Sequence, residues 1–163
     1  MDNTIASISE IQEAIKSELE RNTYFANHGV EILIENAKDI EFQIKSAMSA
    51  LGICATVATP SLTYGGNVKT EDADTSRPWW TISGGSVVIV ENPTLNRGRP
   101  SYGTALDAAL QVALTLHRIP SICDTTITQT TQGGLVVVSV QFKTNISFML
   151  EYEEESSSST EGI

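Results

Sequence analysis

The chain has 163 residues, of which 40% are hydrophobic, and a formal net charge of −10 at pH 7. This length suits one domain that needs neither a disulfide nor a structural metal in order to fold. The acidic charge argues against a surface that grips nucleic acid through its phosphates, and no apolar run is long enough to predict a membrane span.

The acidic residues are unevenly distributed along the chain. Residues 150–163, LEYEEESSSSTEGI, contain five glutamates and no basic residue. A polar, charged and Ser-rich segment buries too little apolar surface to fold, so we expect a disordered acidic tail there. Residues 1–149 are expected to form the single domain, with 15 acidic and 10 basic residues and a net charge of −5.

The first half of the chain alternates helical and extended patterns. In chain order these patterns predict a helix over residues 8–21, a loop at 22–29, a strand at 30–35, a helix that follows Asn36 and ends at Gly52, and a strand at 53–59. Apolar residues at three- and four-residue spacings indicate the helices, and a glycine is a typical helix stop. A strand, a helix and a strand within about 30 residues predict a βαβ unit.

The second half begins with residues 61–78, which suit either a long loop or an extended hairpin. A strand is predicted at 79–91. After the loop that follows it, Thr104 and Asp107 have the spacing of a capping box at a helix start. This helix is expected to turn one apolar face toward the core, formed by Leu106, Ala109, Leu110, Ala113 and Leu116.

Two further strands are predicted to close the domain, at residues 121–130 and from Val136 onward. The second strand alternates. One face carries Val136, Val138, Val140, Phe142, Ile146 and Phe148, and the other carries Ser139, Gln141, Lys143, Asn145 and Ser147. Such alternation is typical of an antiparallel strand with one wet face. The order α-β-α-β-β-α-β-β predicts a single α+β domain, in which a mixed, mostly antiparallel sheet has its helices packed on one face.

The stretch from Val87 to Leu116 joins an apolar strand to the most apolar helix through a polar loop. Its candidate functional residues are Glu91, Asn92, Asn96, Arg97 and Arg99. Asparagine side chains can hydrogen-bond a turning backbone, and Glu91 can reach Arg97 or Arg99. We therefore interpret these five as loop-fixing or interface residues.

An anionic ligand at the Asn96/Arg97/Arg99 loop is the alternative, because a helix start with nearby arginines can hold an anion. The chain would then be an enzyme or a small-molecule-binding module. The loop lacks the Gly-Lys-Ser/Thr of a phosphate-binding loop, and His28 and His117 are not spaced as metal ligands. We therefore expect no catalytic residue, no metal and no cofactor, and we predict that the chain is not an enzyme.

The two cysteines, Cys54 and Cys123, lie among apolar residues of predicted strands. Free cysteine packs as a small hydrophobic residue, so both are expected to be buried thiols, which is typical of a reducing compartment. The first residues lack a basic segment followed by an apolar stretch. No secretory signal is therefore predicted, and a cytosolic location is expected.

Seven different short motifs lie in the middle of the chain. They are Glu35-Asn36, Ile44 to Ala47, Leu51-Gly52-Ile53, Thr59-Pro60, Val90 to Pro93, Leu95 to Arg97 and Gly103 to Ala109. Together they cover residues 24–117 in outline. This pattern resembles small proteins encoded among the tail genes of bacteriophages and prophages. The element order is also similar to that of tail terminator proteins, which have a mixed sheet with helices on one side.

The resemblance implies a structural virion protein, either a tail terminator or a neck/tail-completion subunit. Such proteins form hexameric rings that cap the tail tube, stop its growth and join it to the head. The implied partners are further copies of the chain, the tail tube and head–tail connector proteins, with DNA passing through the lumen without tight binding. The net negative charge of residues 1–149 agrees with free passage of DNA, because like charges on the protein and the DNA repel each other. The implied location is the host cytoplasm during assembly and then the virion.

Overall fold

The computed structural model describes residues 4–5, 8–69, 76–96, 104–144 and 147–150. The helices in these ranges are α1 (Ile8–Glu20), α2 (Thr23–Asn27), α3 (Ile40–Leu51), α4 (Pro93–Asn96) and α5 (Ala105–His117). The strands are β1 (Thr4–Ile5), β2 (Glu31–Ile34), β3 (Ile53–Val57), β4 (Ser61–Lys69), β5 (Ser76–Glu91), β6 (Ile122–Gln132), β7 (Leu135–Thr144) and β8 (Ser147–Leu150). Among the described helices, none has the length and apolar character needed to cross a membrane.

Strand β5 organises the sheet, because each half of its 16 residues pairs with different strands. The first half lies between β4 and β8 and is antiparallel to both. The second half lies between β3 and β7 and is again antiparallel to both. β6 extends the sheet beyond β7 in the antiparallel direction, whereas β2 pairs with β3, and β1 with β8, in parallel. The described sheet is therefore mixed and mostly antiparallel.

The predicted α+β class and mixed sheet are confirmed, and the predicted element order is broadly right. β2, α3 and β3 form the predicted βαβ unit. β4 runs antiparallel to the start of β5, which favours the extended hairpin over the long loop for residues 61–78, and residues 70–75 lie outside the described residues. The residues predicted as loop at 22–29 contain α2. Like β1 and α4, this helix has five residues or fewer, too few for periodicity to indicate it. The predicted last strand, which was expected to continue through Phe148, is divided into β7 and β8, and Phe148 is buried as predicted.

The helices cover both faces of the sheet, so the expectation that they all pack on one face is wrong for α3. α1 and α5 pack on the face that carries Ile32 and Ala55. α3 packs on the opposite face, against Leu33 and Cys54. Adjacent residues of a strand point to opposite faces. Because β2 and β3 are apolar on both faces, each face needs a helix to cover it.

Helix α5 is rotated relative to its predicted orientation. Leu106 and Leu110, which were expected to face the core, are 45% and 50% exposed. The helix instead buries Ala105, Ala108, Ala109, Val112, Thr115 and Leu116. Its alanines allow the helix backbone to approach the sheet closely. The helix is apolar on nearly every side, so periodicity could not decide which side is buried.

Strand β7 carries the predicted alternation. Val138, Val140 and Phe142 are buried, and Gln141 and Lys143 are exposed, so one face is wet as expected. β7 lies between β5 and β6. Its backbone is therefore paired on both sides, and β6 is the outermost of the described strands on this side of the sheet.

The predicted boundary between domain and tail, at residues 149 and 150, falls within β8. Leu150 is the last residue of β8. Apart from that residue, the expected acidic tail at 150–163 lies outside the described residues.

Candidate functional site

The polar corner between β5 and α5 brings together three of the five candidate residues. Glu91 is the last residue of β5 and is only 6% exposed. Its Oε2 accepts a hydrogen bond from the side-chain amide of Asn96, and its Oε1 accepts one from the backbone N–H of Ala105 at 3.3 Å. The carboxylate therefore ties the end of the strand to the first residue of α5, where the helix dipole favours negative charge.

Asn92 immediately precedes the short helix α4, which ends at Asn96. Its side-chain Oδ1 accepts from the N–H of Thr94 at 3.1 Å, and its carbonyl accepts from the N–H of Asn96 at 3.0 Å. Asparagine before a helix and proline at its first position are the preferred residue types there, which explains the sequence Asn92-Pro93. The corner is thus folded by its own side chains.

The corner is also joined to α3. The N–H of Asn92 donates to the carbonyl of Gly52 at 2.7 Å. Gly52 ends α3 with φ at 75°, and a Cβ at this position would lie 3.0 Å from the Cβ of Leu95. Both the left-handed backbone and the close approach require glycine. This contact accounts for the Leu51-Gly52-Ile53 motif.

The first turn of α5 is closed in the same way. Thr104 caps the helix: its Oγ1 accepts from the N–H of Asp107 at 3.2 Å, and the Asp107 carboxylate accepts from the N–H of Thr104 at 3.1 Å. The capping box predicted from their spacing is confirmed. The N–H of Ala105 donates to Glu91. The backbone N–H groups of Thr104, Ala105 and Asp107 are therefore all bonded within the chain.

Arg97 and Arg99 lie outside the described residues. Their expected contact with Glu91 stays a prediction, and so does an interface role for this loop. The anion-binding alternative needs Asn96 to face a ligand. Asn96 is instead 6% exposed and donates its side-chain amide to Glu91. The described part of this loop is therefore a buried structural corner rather than an open cradle.

Tyr24 on α2 belongs to the same region, although the sequence pattern did not indicate this. Its ring stacks on the His28 imidazole, with centroids 4.0 Å apart. Its hydroxyl is buried without a hydrogen-bond partner among the described residues. Burial raises the pKa of Tyr24 above its ordinary value, and the negative charges of Asp107 and Glu91 raise it further.

Asn22 links α1 and α2 to α5. Its side-chain N–H groups lie 3.1 Å from the oxygens of Gln111 and Thr115, and its Oδ1 accepts from the N–H of Tyr24 at 3.0 Å. A single amide therefore caps α2 and holds it against α5. No motif indicated this contact, because 89 and 93 residues separate the partners.

A stripe of three leucines runs along the outer side of α5. Leu106, Leu110 and Leu114 are 45%, 50% and 58% exposed. They recur every four residues, so they lie above one another on the helix surface. We call Leu106, Leu110 and Leu114 the leucine stripe. Contiguous exposed apolar side chains mark association surfaces more often than single ones do.

An apolar cleft of about 710 Å³ lies between α1 and the sheet. Its walls include Ile15, Ile82, Phe142 and Phe148, and Arg118 lies among its polar lining residues. This volume is in the range of small-molecule sites, but such sites also need several convergent polar groups to orient a ligand. The described walls are mainly aliphatic and aromatic, so they indicate no particular chemistry.

The cysteines do not form a site. Cys54 is buried, as predicted, and burial raises the pKa of its thiol to about 11. Cys123 is exposed on β6, so the prediction that both thiols are buried is wrong for this residue. Cys123 lies opposite Lys143 of β7, and both side chains are exposed, so the thiol lies on the wet face of the sheet. Within the described ranges, no group of three or more His, Cys, Asp or Glu residues could hold a metal ion.

Comparison of the sequence with protein-family models and with curated proteins finds no match.

Proposed function

We propose that this chain is a structural subunit of a phage tail, a tail terminator or neck/tail-completion protein that assembles as a homo-oligomeric ring. The ring caps the tail tube, ends its growth and joins it to the head through surface complementarity. It forms in the host cytoplasm and becomes part of the virion. The lumen lets DNA pass without tight binding.

The leucine stripe is the observation that carries this proposal. The three side chains extend over about 12 Å of the helix, at 1.5 Å per residue. Burial of the exposed half of each leucine contributes about 1 kcal/mol per side chain. Exposure of this apolar area to water is unfavourable, because apolar surface is more stable when it is removed from water. We therefore assign the stripe to a contact between neighbouring subunits.

The polar corner supports the proposal in a different way. Glu91, Asn96 and Thr104 form hydrogen bonds with other residues of the same chain. These bonds hold the N-terminus of α5 to the end of β5, so the leucine stripe is presented on a rigid helix. A rigid surface loses less conformational entropy when it associates than a mobile one does.

The acidic charge supports the proposed lumen. Apart from residues 150–163, the chain has 15 acidic and 10 basic residues. A ring built from such subunits repels the phosphates of DNA at distances up to about 10 Å at moderate ionic strength. DNA would then pass through the ring without being held by it.

The assembly test uses Leu106→Gln, Leu110→Gln and Leu114→Gln together. Light scattering should find a large oligomer for the wild type, on its own or with tail-tube protein of the same phage, and a smaller species for the triple variant. Phe42→Gln is the matched control, because Phe42 is 72% exposed on α3, which packs on the opposite face of the sheet. This control should assemble normally.

The functional test is the length of tail tubes seen by electron microscopy. Tubes polymerised with the wild-type chain should end at a cap and have a defined length. Tubes polymerised with the triple leucine variant should lack the cap and grow longer. A wild-type chain that stays monomeric at high concentration and does not bind tube ends would overturn the proposal. Equal assembly of the wild type and the triple variant would remove the leucine stripe from the interface.

A further inference from the structure

Strand β6 forms one edge of the described sheet. It pairs only with β7 among the described strands. From Thr126 to Gln132 the two strands run in unbroken antiparallel register. Backbone N–H and C=O groups alternate in direction along a strand, so about half of those in this segment point away from β7. The segment Thr126–Gln132, which we call the free edge, therefore offers a row of backbone donors and acceptors.

The free edge carries none of the features that usually protect an edge strand. Its sequence, TITQTTQ, contains no charged residue, no proline and no glycine. Its side chains are exposed except for Ile127, which is partly buried. The bulge between Cys123 and Thr126, where Asp124 has φ of 52°, lies before the segment rather than within it. Native proteins seldom leave such an edge uncovered.

The other described edges are less suited to pairing. β1 and β2 have two and four residues. The ladder of β4 with β5 is interrupted by two register shifts, so β4 is irregular. The free edge is therefore the longest regular and uncharged edge in the described part of the sheet.

We infer that the free edge is an interface for a second copy of the chain, whose β6 adds to it in the antiparallel direction about a twofold axis. An antiparallel pair of identical strands is self-complementary, because each outward donor meets an acceptor of its partner. Threonine side chains also pair favourably across strands. Two chains that each carry −10 meet with least repulsion where the contact segment has no charge.

This pairing is independent of the function proposed above. The leucine stripe lies on the exposed side of α5, whereas the free edge lies along the margin of the sheet beneath the helix. Loss of one contact therefore leaves the other in place. Amide hydrogen exchange distinguishes them, because dimerisation through β6 protects outward amides of residues 126–132 and association through α5 does not.

The first experiment compares Thr128→Pro with Gln129→Pro. One of these adjacent N–H groups points to β7 and the other points outward. Proline at the outward position leaves the fold intact and should weaken the dimer about tenfold or more, because one backbone hydrogen bond is lost from each copy. Proline at the inward position should lower the thermal midpoint instead. Analytical ultracentrifugation gives the dissociation constants.

The second experiment uses Thr128→Lys and Thr128→Glu, which keep the backbone hydrogen bonds. Each variant alone should dimerise more weakly than the wild type, because the twofold pair then brings two like charges into a contact segment that is otherwise uncharged. An equimolar mixture should recover dimerisation at low salt. The mixture is specific for a second copy, since a different partner protein could not restore it. This experiment stands even if both proline variants fail to fold.

The inference is overturned if the wild type shows no concentration-dependent dimer, or if a folded outward-proline variant dimerises as tightly as the wild type. It is also overturned if mixing the lysine and glutamate variants restores nothing. A leucine-stripe triple variant that loses larger assemblies but keeps the protected β6 amides would separate the two contacts.

Discussion

Asn96 donates a side-chain amide hydrogen bond to the buried carboxylate of Glu91, and this bond joins the end of β5 to the end of α4. Glu91 is the last residue of β5, and Asn96 is the last residue of α4. The same carboxylate accepts from the backbone of Ala105, so one side chain binds the strand end to the start of α5. The stability of the domain should therefore depend on this pair.

Asn96→Ala should lower the free energy of unfolding by about 1–3 kcal/mol, because it removes a donor from a buried carboxylate. Asn92→Ala is the matched control. It removes an exposed cap bond to Thr94 and should cost about 1 kcal/mol. Urea denaturation followed by circular dichroism measures both variants. Equal losses of unfolding free energy in the two variants would show that the Asn96–Glu91 bond stabilises the domain no more than the exposed cap bond does.

Gln12→Met should leave stability unchanged or raise it by about 1 kcal/mol. The Gln12 side chain is fully buried, and its Oε1 has no hydrogen-bond partner among the described residues. Its Nε2 donates to the carbonyl of Val57 at 3.2 Å, but that carbonyl also accepts from Glu35, so the substitution leaves it bonded.

The control for Gln12 is Leu19→Ala on the same helix, where Leu19 is fully buried. This truncation should cost about 2–5 kcal/mol, because it leaves a cavity in the core. Chemical denaturation of both variants gives the comparison. A loss of stability in Gln12→Met as large as in Leu19→Ala would show that the buried amide stabilises the fold.

Tyr24→Phe should reduce the loss of stability at alkaline pH. The pKa of Tyr24 is raised in the folded chain by burial and then by Asp107 and Glu91. Stability linked to this group is therefore fully present below the unfolded pKa of about 10, and it is lost as pH rises through the higher folded pKa. Without the phenol, the thermal midpoint should fall less between about pH 9 and pH 11.

Tyr64→Phe is the control for this pH dependence. Tyr64 is 51% exposed, and its hydroxyl donates to Asn67 rather than lying unpaired in the core. Scanning calorimetry across the pH series should separate the two variants. If the thermal midpoints of both variants change with pH as that of the wild type does, the titration of Tyr24 is not linked to folding.

The two thiols should differ in reactivity. Burial raises the pKa of Cys54 to about 11, with a smaller contribution from Glu31, and Cys123 is exposed. Because the thiolate is the reactive form, a disulfide reagent near neutral pH should modify one cysteine in the native chain and both after denaturation. Native Cys123→Ser should remain unreacted. Rapid modification of that variant would show that the core around Cys54 opens readily.

Features encoded by neighbouring residues were predictable from the sequence. The capping box of Thr104 and Asp107 depends on residues three apart, and the wet and buried faces of β7 follow from strict alternation. Gly52 as a helix stop and the βαβ unit follow from similarly short patterns. These local signals were sufficient to predict the α+β class and the approximate order of its elements.

Features that depend on distant residues needed the tertiary structure. Nearly all sides of α5 are apolar, so only its contact with the sheet decided that alanines face inward and that the leucine stripe faces outward. The placement of α3 likewise follows from the sheet having two apolar faces to cover. Glu91 was expected to reach an arginine, and its described partners are an amide side chain and a backbone N–H. Local periodicity in the sequence determined the longer elements, whereas packing decided which of their surfaces remained exposed.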